Sequence, residues 1–113
     1  KTMLFGSKDK KIEHAIEKKN PAGVIGFFED KDENIRLMAI DAAGKIGGDD
    51  CMNALIPLLH NSDAKVRAAA ATALGAVGNS HAAAFLSYQL DHEQDPTVQA
   101  AVRKAMQVFH GEE

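Results

Sequence analysis

Apolar residues recur at helical spacing along most of this chain, and the same arrangement returns about 31 positions later. In residues 63–78 the apolar positions fall three or four apart, which predicts an amphipathic helix. Residues 32–47 and 95–110 repeat it, each opening on an Asp. The positions expected to face the core are Ile35, Ala39, Ala42 and Ile46, then Val66, Ala70, Ala73 and Val77, then Val98, Val102, Ala105 and Phe109.

A second, shorter helix is predicted between these segments, over residues 21–30, 50–60 and 80–91. Its core-facing rows are Val24, Phe27 and Phe28, then Leu55, Leu58 and Leu59, then Leu86, Gln89 and Leu90. We expect Asn20 to cap the first of these helices. Pro57 removes a hydrogen bond inside the next one and should bend its axis.

Local signals mark the ends and crossings of the long helices. Each opening Asp (Asp32, Asp63, Asp95) is placed to cap the helix that follows. Gly44 and Gly75 lie inside helices at a cost of about 1 kcal/mol relative to Ala, so a neighbouring helix is expected to cross closely there. Gly47 and Gly78 are expected to end the helices in the left-handed conformation. Arg36 and Arg67, which share one repeat position, are expected to brace the loops.

Repetition at this period is the signature of a solenoid, in which each unit buries its apolar face against its neighbours. The fold class predicted is therefore all-α, with about three and a half stacked helix pairs in a single domain. We divide it into an irregular segment 1–7, an atypical first unit 8–31, a second unit 32–62, a third unit 63–94 and a terminal helix 95–110.

Composition excludes some classes of function but does not identify one. The 113 residues are 45% hydrophobic and carry a formal charge of -3, which argues against a broad surface for nucleic acid. The single Cys51 occupies the repeat position of Ala82 and is interpreted as a small buried residue. No stretch is long enough to cross a membrane, and none resembles a signal peptide, so a cytoplasmic location is expected.

The motif Asp63, Val66-Arg67, Ala70, Ala73-Leu74-Gly75 and Val77-Gly78, with residues 54–59 as the second helix, resembles HEAT-like repeats of the bacterial and archaeal type, first named in phycobilin lyases. The resemblance covers residues 20–109. It implies a right-handed α-α superhelix with the first helices on the convex side and the second helices lining the concave side. Partner binding is the role that it implies. Gln99 replaces the Arg of the family pattern, and Gln107 replaces a Gly.

The leading hypothesis is a non-catalytic protein-interaction module or scaffold that binds a protein partner on the concave face. With the core rows assigned, the outward positions of the second helices vary between repeats, as expected of a surface read by a partner. Ile56 and Tyr88 are the candidate anchors, because side chains of this kind are typical of interfaces. The predicted partner-binding residues are Asn53, Ile56, His60, Ala84, Tyr88 and Asp91. The alternative, that Ile56 and Tyr88 pack against adjacent helices, stays open.

A metal-dependent enzyme is a second hypothesis. Deoxyhypusine hydroxylase resembles this fold and carries His-Glu pairs after the Val-Arg position, where this chain has Ala68-Ala69 and Leu37-Met38. The pair His92-Glu93 occurs once, in a loop. No two His residues stand at i, i+3 or i, i+4, the spacing that would place two ligands on one helical face, although His60 and His92 could approach across repeats. We therefore predict no catalytic residue, no metal site and no cofactor.

Two further hypotheses rank lower. DNA glycosylases with HEAT-like repeats would need a basic concave face, and the outward positions assigned here hold no Lys or Arg. An accessory subunit of a bilin lyase-type enzyme would need a pocket and a longer array. We expect no nucleic acid and no membrane among the partners. No partner helix follows the terminal helix, so either the chain continues or another molecule covers its open face. Self-association through this helix is a further expectation.

Overall fold

A computed structural model describes residues 7–110, and every regular element in that range is helical. Apart from Ser7, the predicted irregular segment 1–7 lies outside the described residues. The elements are α1 (Lys8–Lys18), α2 (Ala22–Ile25), α3 (Glu33–Ile46), α4 (Gly48–Leu55) with a 3-10 extension (Ile56–His60), α5 (Ala64–Val77), a 3-10 turn (Ser80–Ala82) leading into α6 (Ala83–His92), and α7 (Pro96–His110).

The helices form two layers that stack in chain order. The long-helix row consists of α1, α3, α5 and α7, each packed on the next. The second layer consists of α2, α4 with its 3-10 extension, and α6, which pack on the long helices. The stack measures 50 × 27 × 17 Å along its principal axes. The predicted all-helical solenoid is therefore confirmed.

Aspartate caps begin the three repeat-opening helices, as predicted. The Oδ1 atoms of Asp32, Asp63 and Asp95 each accept a hydrogen bond from the backbone N–H two residues further on, at 2.8–2.9 Å. These bonds satisfy donors that the first helical turn leaves free. The three carboxylates thus have structural roles.

The long helices cross very closely at two glycines. A Cβ added at Gly44 would lie 3.0 Å from the Ala73 Cα atom, and one at Gly75 would lie 3.0 Å from the Ala105 Cα atom. A side chain at either position would push the neighbouring backbone away. The predicted close approach is confirmed, and the core stripe is wider than expected, since Ile40 is also fully buried.

Gly47 and Gly78 both follow a long helix, but they end it differently. Gly78 adopts the left-handed conformation, with φ 73° and ψ 15°. Gly47 has φ 75° and ψ -164°, so its backbone is not left-handed helical and the prediction for it is wrong. The reason is that Gly48, at φ 83°, already begins α4 directly after Gly47.

The second helix of the first unit is much shorter than the predicted 21–30. Only Ala22–Ile25 is α-helical, and Phe27, Phe28 and Asp30 then donate to carbonyls three residues back. The N-cap position is Pro21 and not the predicted Asn20, and no side chain caps this helix. Two glycines in this segment weaken the helix, and Gly23 is further required for packing, since a Cβ there would lie 2.7 Å from the Ala15 Cβ atom.

Pro57 changes the second helix of the next unit from α to 3-10. The α-helix ends at Leu55, and residues Ile56–His60 continue as a 3-10 helix with Pro57 in its first turn. Proline lacks the N–H that an α-helix would use and clashes with the carbonyl four residues back. The helix type changes at Pro57, while the predicted bend of the axis stays a prediction.

Arg36, Arg67 and Gln99 stand at the same repeat position and brace the loops in the same way. Arg36 Nη1 donates to the Asp30 carbonyl at 2.8 Å, and Arg67 Nη1 donates to the Asn61 carbonyl at 2.9 Å. Gln99 Nε2 donates to the Glu93 carbonyl at 2.7 Å. The predicted bracing is confirmed, and Gln99 keeps it although it departs from the family pattern.

The two layers differ in how closely their helices approach one another. The tight crossings at Gly44 and Gly75 lie within the long-helix row, whereas α4 and α6 pack mainly on long helices. The expectation that the second helices line the concave side stays a prediction.

Candidate functional site

The six residues predicted to contact a partner all belong to the second layer. Five of them, Asn53, His60, Ala84, Tyr88 and Asp91, are exposed. Ile56 is half-buried and packs against the core, so the fold alone explains its apolar side chain. Three of the six lie on α4 and its 3-10 extension, and three lie on α6.

Tyr88 is the most exposed large side chain of this group, with 56% of its surface accessible. Its ring stacks on that of His92, with 4.0 Å between centroids and 26° between planes. His92 Nδ1 lies 2.8 Å from the Tyr88 carbonyl oxygen. A carbonyl can only accept, so Nδ1 donates, and the bond fixes the His92 ring against Tyr88.

Phe85, one turn earlier on α6, is also exposed, at 40%. Its ring meets the His81 ring edge to face, with centroids 5.8 Å apart. His81, Phe85, Tyr88 and His92 are spaced four, three and four residues apart, which places them along one side of the helical segment. We refer to these four residues as the aromatic stripe.

Sequence reasoning found Tyr88 but missed the rest of the aromatic stripe as a unit. The spacing of four, three and four is present in the sequence. A comparison of positions between repeats does not register it, because Phe85 falls in none of the rows assigned to the core or to the partner. A search for aromatic residues at helical spacing within one segment would have found it.

A groove of about 440 Å³ lies beside the aromatic stripe, between the 3-10 extension of α4 and the end of α6. At the groove, Arg67 meets the buried Glu93 with two bonds, Nε to Oε1 at 3.0 Å and Nη2 to Oε2 at 2.9 Å. Gln89 Nε2 donates to Glu93 Oε1 at 2.7 Å. Arg67 foremost lowers the pKa of Glu93, to about 2, against the opposing effect of burial. The groups at the base of the groove are thus bonded to one another.

His60 and His92 both line this groove, so the fold brings together the two histidines singled out by the sequence. Glu93, the neighbour of His92, is held by Arg67 and Gln89. Among the residues that the structure describes, no three His, Cys, Asp or Glu side chains are grouped so as to hold a metal ion. Within the described residues, the groove is thus lined by polar side chains that are not arranged as metal ligands.

Cys51 is fully buried, as predicted, and so is Ala82 at its repeat position. Burial, more than the nearby Asp50 charge, raises the pKa of the Cys51 thiol. A buried thiol with a raised pKa is a poor nucleophile. Cys51 therefore acts as a packing residue.

A second, smaller groove of about 220 Å³ lies on the long-helix row between α5 and α7. Small apolar residues form most of it, and Val108, which is 55% exposed, stands at its rim. Its lining residues are Thr72, Gly75, Ala76, Ala101, Lys104, Ala105 and Val108. Apart from Lys104 they carry no titratable group, so this groove has no evident chemistry.

A family model of HEAT repeats matches residues 22–107, which is most of the chain. The chain belongs to the HEAT-repeat family. HEAT repeats are commonly protein-interaction scaffolds, and the family is generally non-enzymatic. The caps, glycine crossings and braced loops described above are the means by which these HEAT repeats stack.

No curated protein matches the chain. Within residues 7–110, none of the helices combines the length and the apolar character needed to cross a membrane. The functional argument for this HEAT-repeat chain therefore rests on its own surfaces.

Proposed function

We propose that this HEAT-repeat chain is a non-catalytic protein-interaction module whose partner contacts the outward side of the second layer. The observation that carries the proposal is the pair of exposed aromatic residues Phe85 and Tyr88 on α6. The contact surface includes the predicted residues Asn53, Ile56, His60, Ala84, Tyr88 and Asp91.

Comparison between repeats indicates that the fold does not need aromatic residues at these places. The positions 31 residues earlier are Ala54 and Pro57, and that repeat stacks without an aromatic ring there. On α6, the side chain that packs into the core of the third unit is that of Leu86, which is fully buried. Exposed Phe and Tyr supply the large, rigid contact area that dominates protein interfaces.

The non-catalytic part of the proposal is supported by the state of the reactive groups. Glu93 is engaged by Arg67 and Gln89, and Cys51 is buried among apolar side chains. Asp32, Asp63 and Asp95 cap helices. Each of these groups thus has a structural task that accounts for its presence.

The proposal is tested by replacing both rings, Phe85→Ala with Tyr88→Ala, in a tagged chain used as bait in extract from its source cells. We expect specific binders to be depleted at least tenfold while the helical circular dichroism signal is retained. Val108→Ala is the matched control, because Val108 is as exposed as Tyr88 but lies on the long-helix row. Equal recovery of every binder by all three proteins would refute the proposal.

A further inference from the structure

The second layer differs sharply from the long-helix row in charge. Residues 20–30, 48–62 and 80–94 contain no Lys or Arg, although the chain has 13 such residues. The same segments carry six carboxylates, of which Asp30 and Glu93 are paired with Lys8 and Arg67 at 2.6 and 2.9 Å. The other four are exposed and have no Lys or Arg partner among the described residues: Glu29, Asp49, Asp50 and Asp91.

Two of these carboxylates flank the aromatic stripe. Asp49 Oδ1 accepts from Asn79 Nδ2 at 3.2 Å, and Asn79 Oδ1 accepts from the His81 backbone N–H at 2.9 Å, so Asp49 lies near the start of the aromatic stripe. Asp91 immediately precedes His92 at its other end. The eleven steps from His81 to His92 span about 16 Å at helical rise. Exposed rings thus lie between two groups of negative charge.

We propose that the aromatic stripe binds a basic polypeptide segment, which deepens the proposed function and rests on it. Arg or Lys side chains of the segment lie against the Phe85 and Tyr88 rings, where the electron-rich faces attract cations. Neighbouring basic residues pair with Asp49 and Asp91. The ends of the aromatic stripe, His81 and His92, lie about 16 Å apart, so a segment with two cations at about that separation matches it.

Charge complementarity favours this occupant over others. Four exposed carboxylates that form no ion pair with a Lys or Arg of the described residues disfavour an acidic segment, and they disfavour nucleic acid for the same reason. A second copy carries the same formal charge of -3, so two copies repel each other, whereas a basic segment carries the opposite charge. A basic segment of another protein has cations free for Asp49 and Asp91.

The test uses a fluorescein-labelled hexa-arginine peptide, with hexa-glutamate as the opposite charge. Binding is measured by fluorescence anisotropy at low ionic strength, and the contact residues are located by amide chemical-shift changes. We expect hexa-arginine to shift amides of residues 80–92 and hexa-glutamate not to bind. Affinity should fall about fivefold for Tyr88→Leu, which keeps an apolar side chain but loses the ring, and for Asp91→Asn.

Asp41→Asn is the matched control, since it changes the charge equally but lies on α3 and is paired with Lys45. It should bind hexa-arginine like the unchanged chain. Phe85→Leu is a second ring variant, which keeps the test valid if Tyr88→Leu folds poorly. The inference is overturned if the peptide does not bind, shifts amides on the long-helix row, or binds the ring variants unchanged.

The failure of this inference and that of the proposed function are distinguishable. If the two ring replacements deplete cellular binders but hexa-arginine neither binds nor competes, the proposed function stands and the basic partner is wrong. A dimer detected by sedimentation and lost in Tyr88→Leu would assign the aromatic stripe to a second copy and would also overturn the inference.

Discussion

At the scale of single residues, Glu93 is the group whose role changed most between sequence and structure. In the sequence it stood beside His92 as a weak metal-ligand pair. In the structure its carboxylate, which is 2% exposed, accepts two bonds from Arg67 and so ties the loop before α7 to α5. The corresponding loop position in the preceding repeat is Asn61, and the partners of Arg36 within residues 7–110 are the carbonyls of Asp30 and Lys31.

We predict that Glu93→Gln lowers the free energy of unfolding by about 2 kcal/mol at neutral pH, because it breaks a buried pair whose Arg67 partner stays partly solvated. The pKa of Glu93 is about 2 in the folded chain, below its usual 4.5. Its stabilisation is therefore full above pH 4.5 and is lost as the pH falls toward 2. Urea unfolding of both proteins across this range should show the gap closing in acid.

The control for this prediction is Glu13→Gln. Glu13 lies 3.6 Å from Lys10 on the exposed side of α1, and such surface pairs contribute little. Its unfolding free energy should change by less than about 0.5 kcal/mol. The difference in the free energy of unfolding between Glu93→Gln and the unchanged chain should shrink in acid. If it does not, the bond to Arg67 is not the source of the difference.

Residue-level features were predictable where their cause is local in sequence. The Asp caps act on N–H groups two residues away, and the Arg36 and Arg67 braces act on carbonyls six residues back. The Arg67–Glu93 pair joins residues 26 positions apart, and only the stacking of α5 on α7 brings them together. Periodicity cannot report such a contact.

At the scale of elements, helix positions followed from the repeat, while helix lengths did not. The helices α3, α5 and α7 begin and end within two residues of the predicted bounds, because an Asp caps the start of each and a Gly follows α3 and α5. The segment 21–30 was overestimated because Val24, Phe27 and Phe28 keep helical spacing although Gly23 and Gly26 weaken the helix. Apolar spacing alone does not register that weakness.

The close crossing of α5 and α7 gives an element-scale prediction. Gly75→Val should lower the free energy of unfolding by about 2–3 kcal/mol, because its side chain would meet the Ala105 backbone at 3.0 Å and push α7 away. Ala76→Val is the matched control at the next, exposed position, with an expected change of about 0.5 kcal/mol from helix propensity. Thermal unfolding followed by circular dichroism measures both. Equal effects would show that the crossing tolerates a side chain.

The outward side of α7 does not repeat this crossing. Gln107 and Arg103 are exposed where α5 has Gly75 and the fully buried Ala71. A helix cannot approach Gln107 as closely as α7 approaches Gly75. The expected self-association through the terminal helix would therefore need a different and looser packing from that between α5 and α7.

At the scale of the whole molecule, the solenoid was predictable because its signal repeats. The close crossings at Gly44 and Gly75 were predictable as well, because a glycine inside each long helix recurs at the same repeat position. The candidate surface was predictable only in part. Tyr88 and Asp91 were named, but their connection to Phe85 and His81 depends on their exposure, which the sequence does not give.

In a linear stack each helix is stabilised only by its neighbours, and the last prediction follows from this. α5 is packed on both sides by long helices, α3 and α7, and also contacts α4, whereas α7 contacts, among the described helices, one long helix, α5, together with α6. Amide hydrogen exchange should therefore be slowest in α5, faster in α7 and fastest in the four-residue α2.

Gly75→Val provides the discriminating comparison for the same experiment. In a stack with nearest-neighbour stabilisation, loosening the α5–α7 crossing should accelerate exchange strongly in α7 and weakly in α1, which is separated from it by α3 and α5. A single cooperative core would instead raise exchange by the same factor in both helices. Equal acceleration in α1 and α7 would thus contradict independent neighbour interfaces, even though the fold is a linear stack.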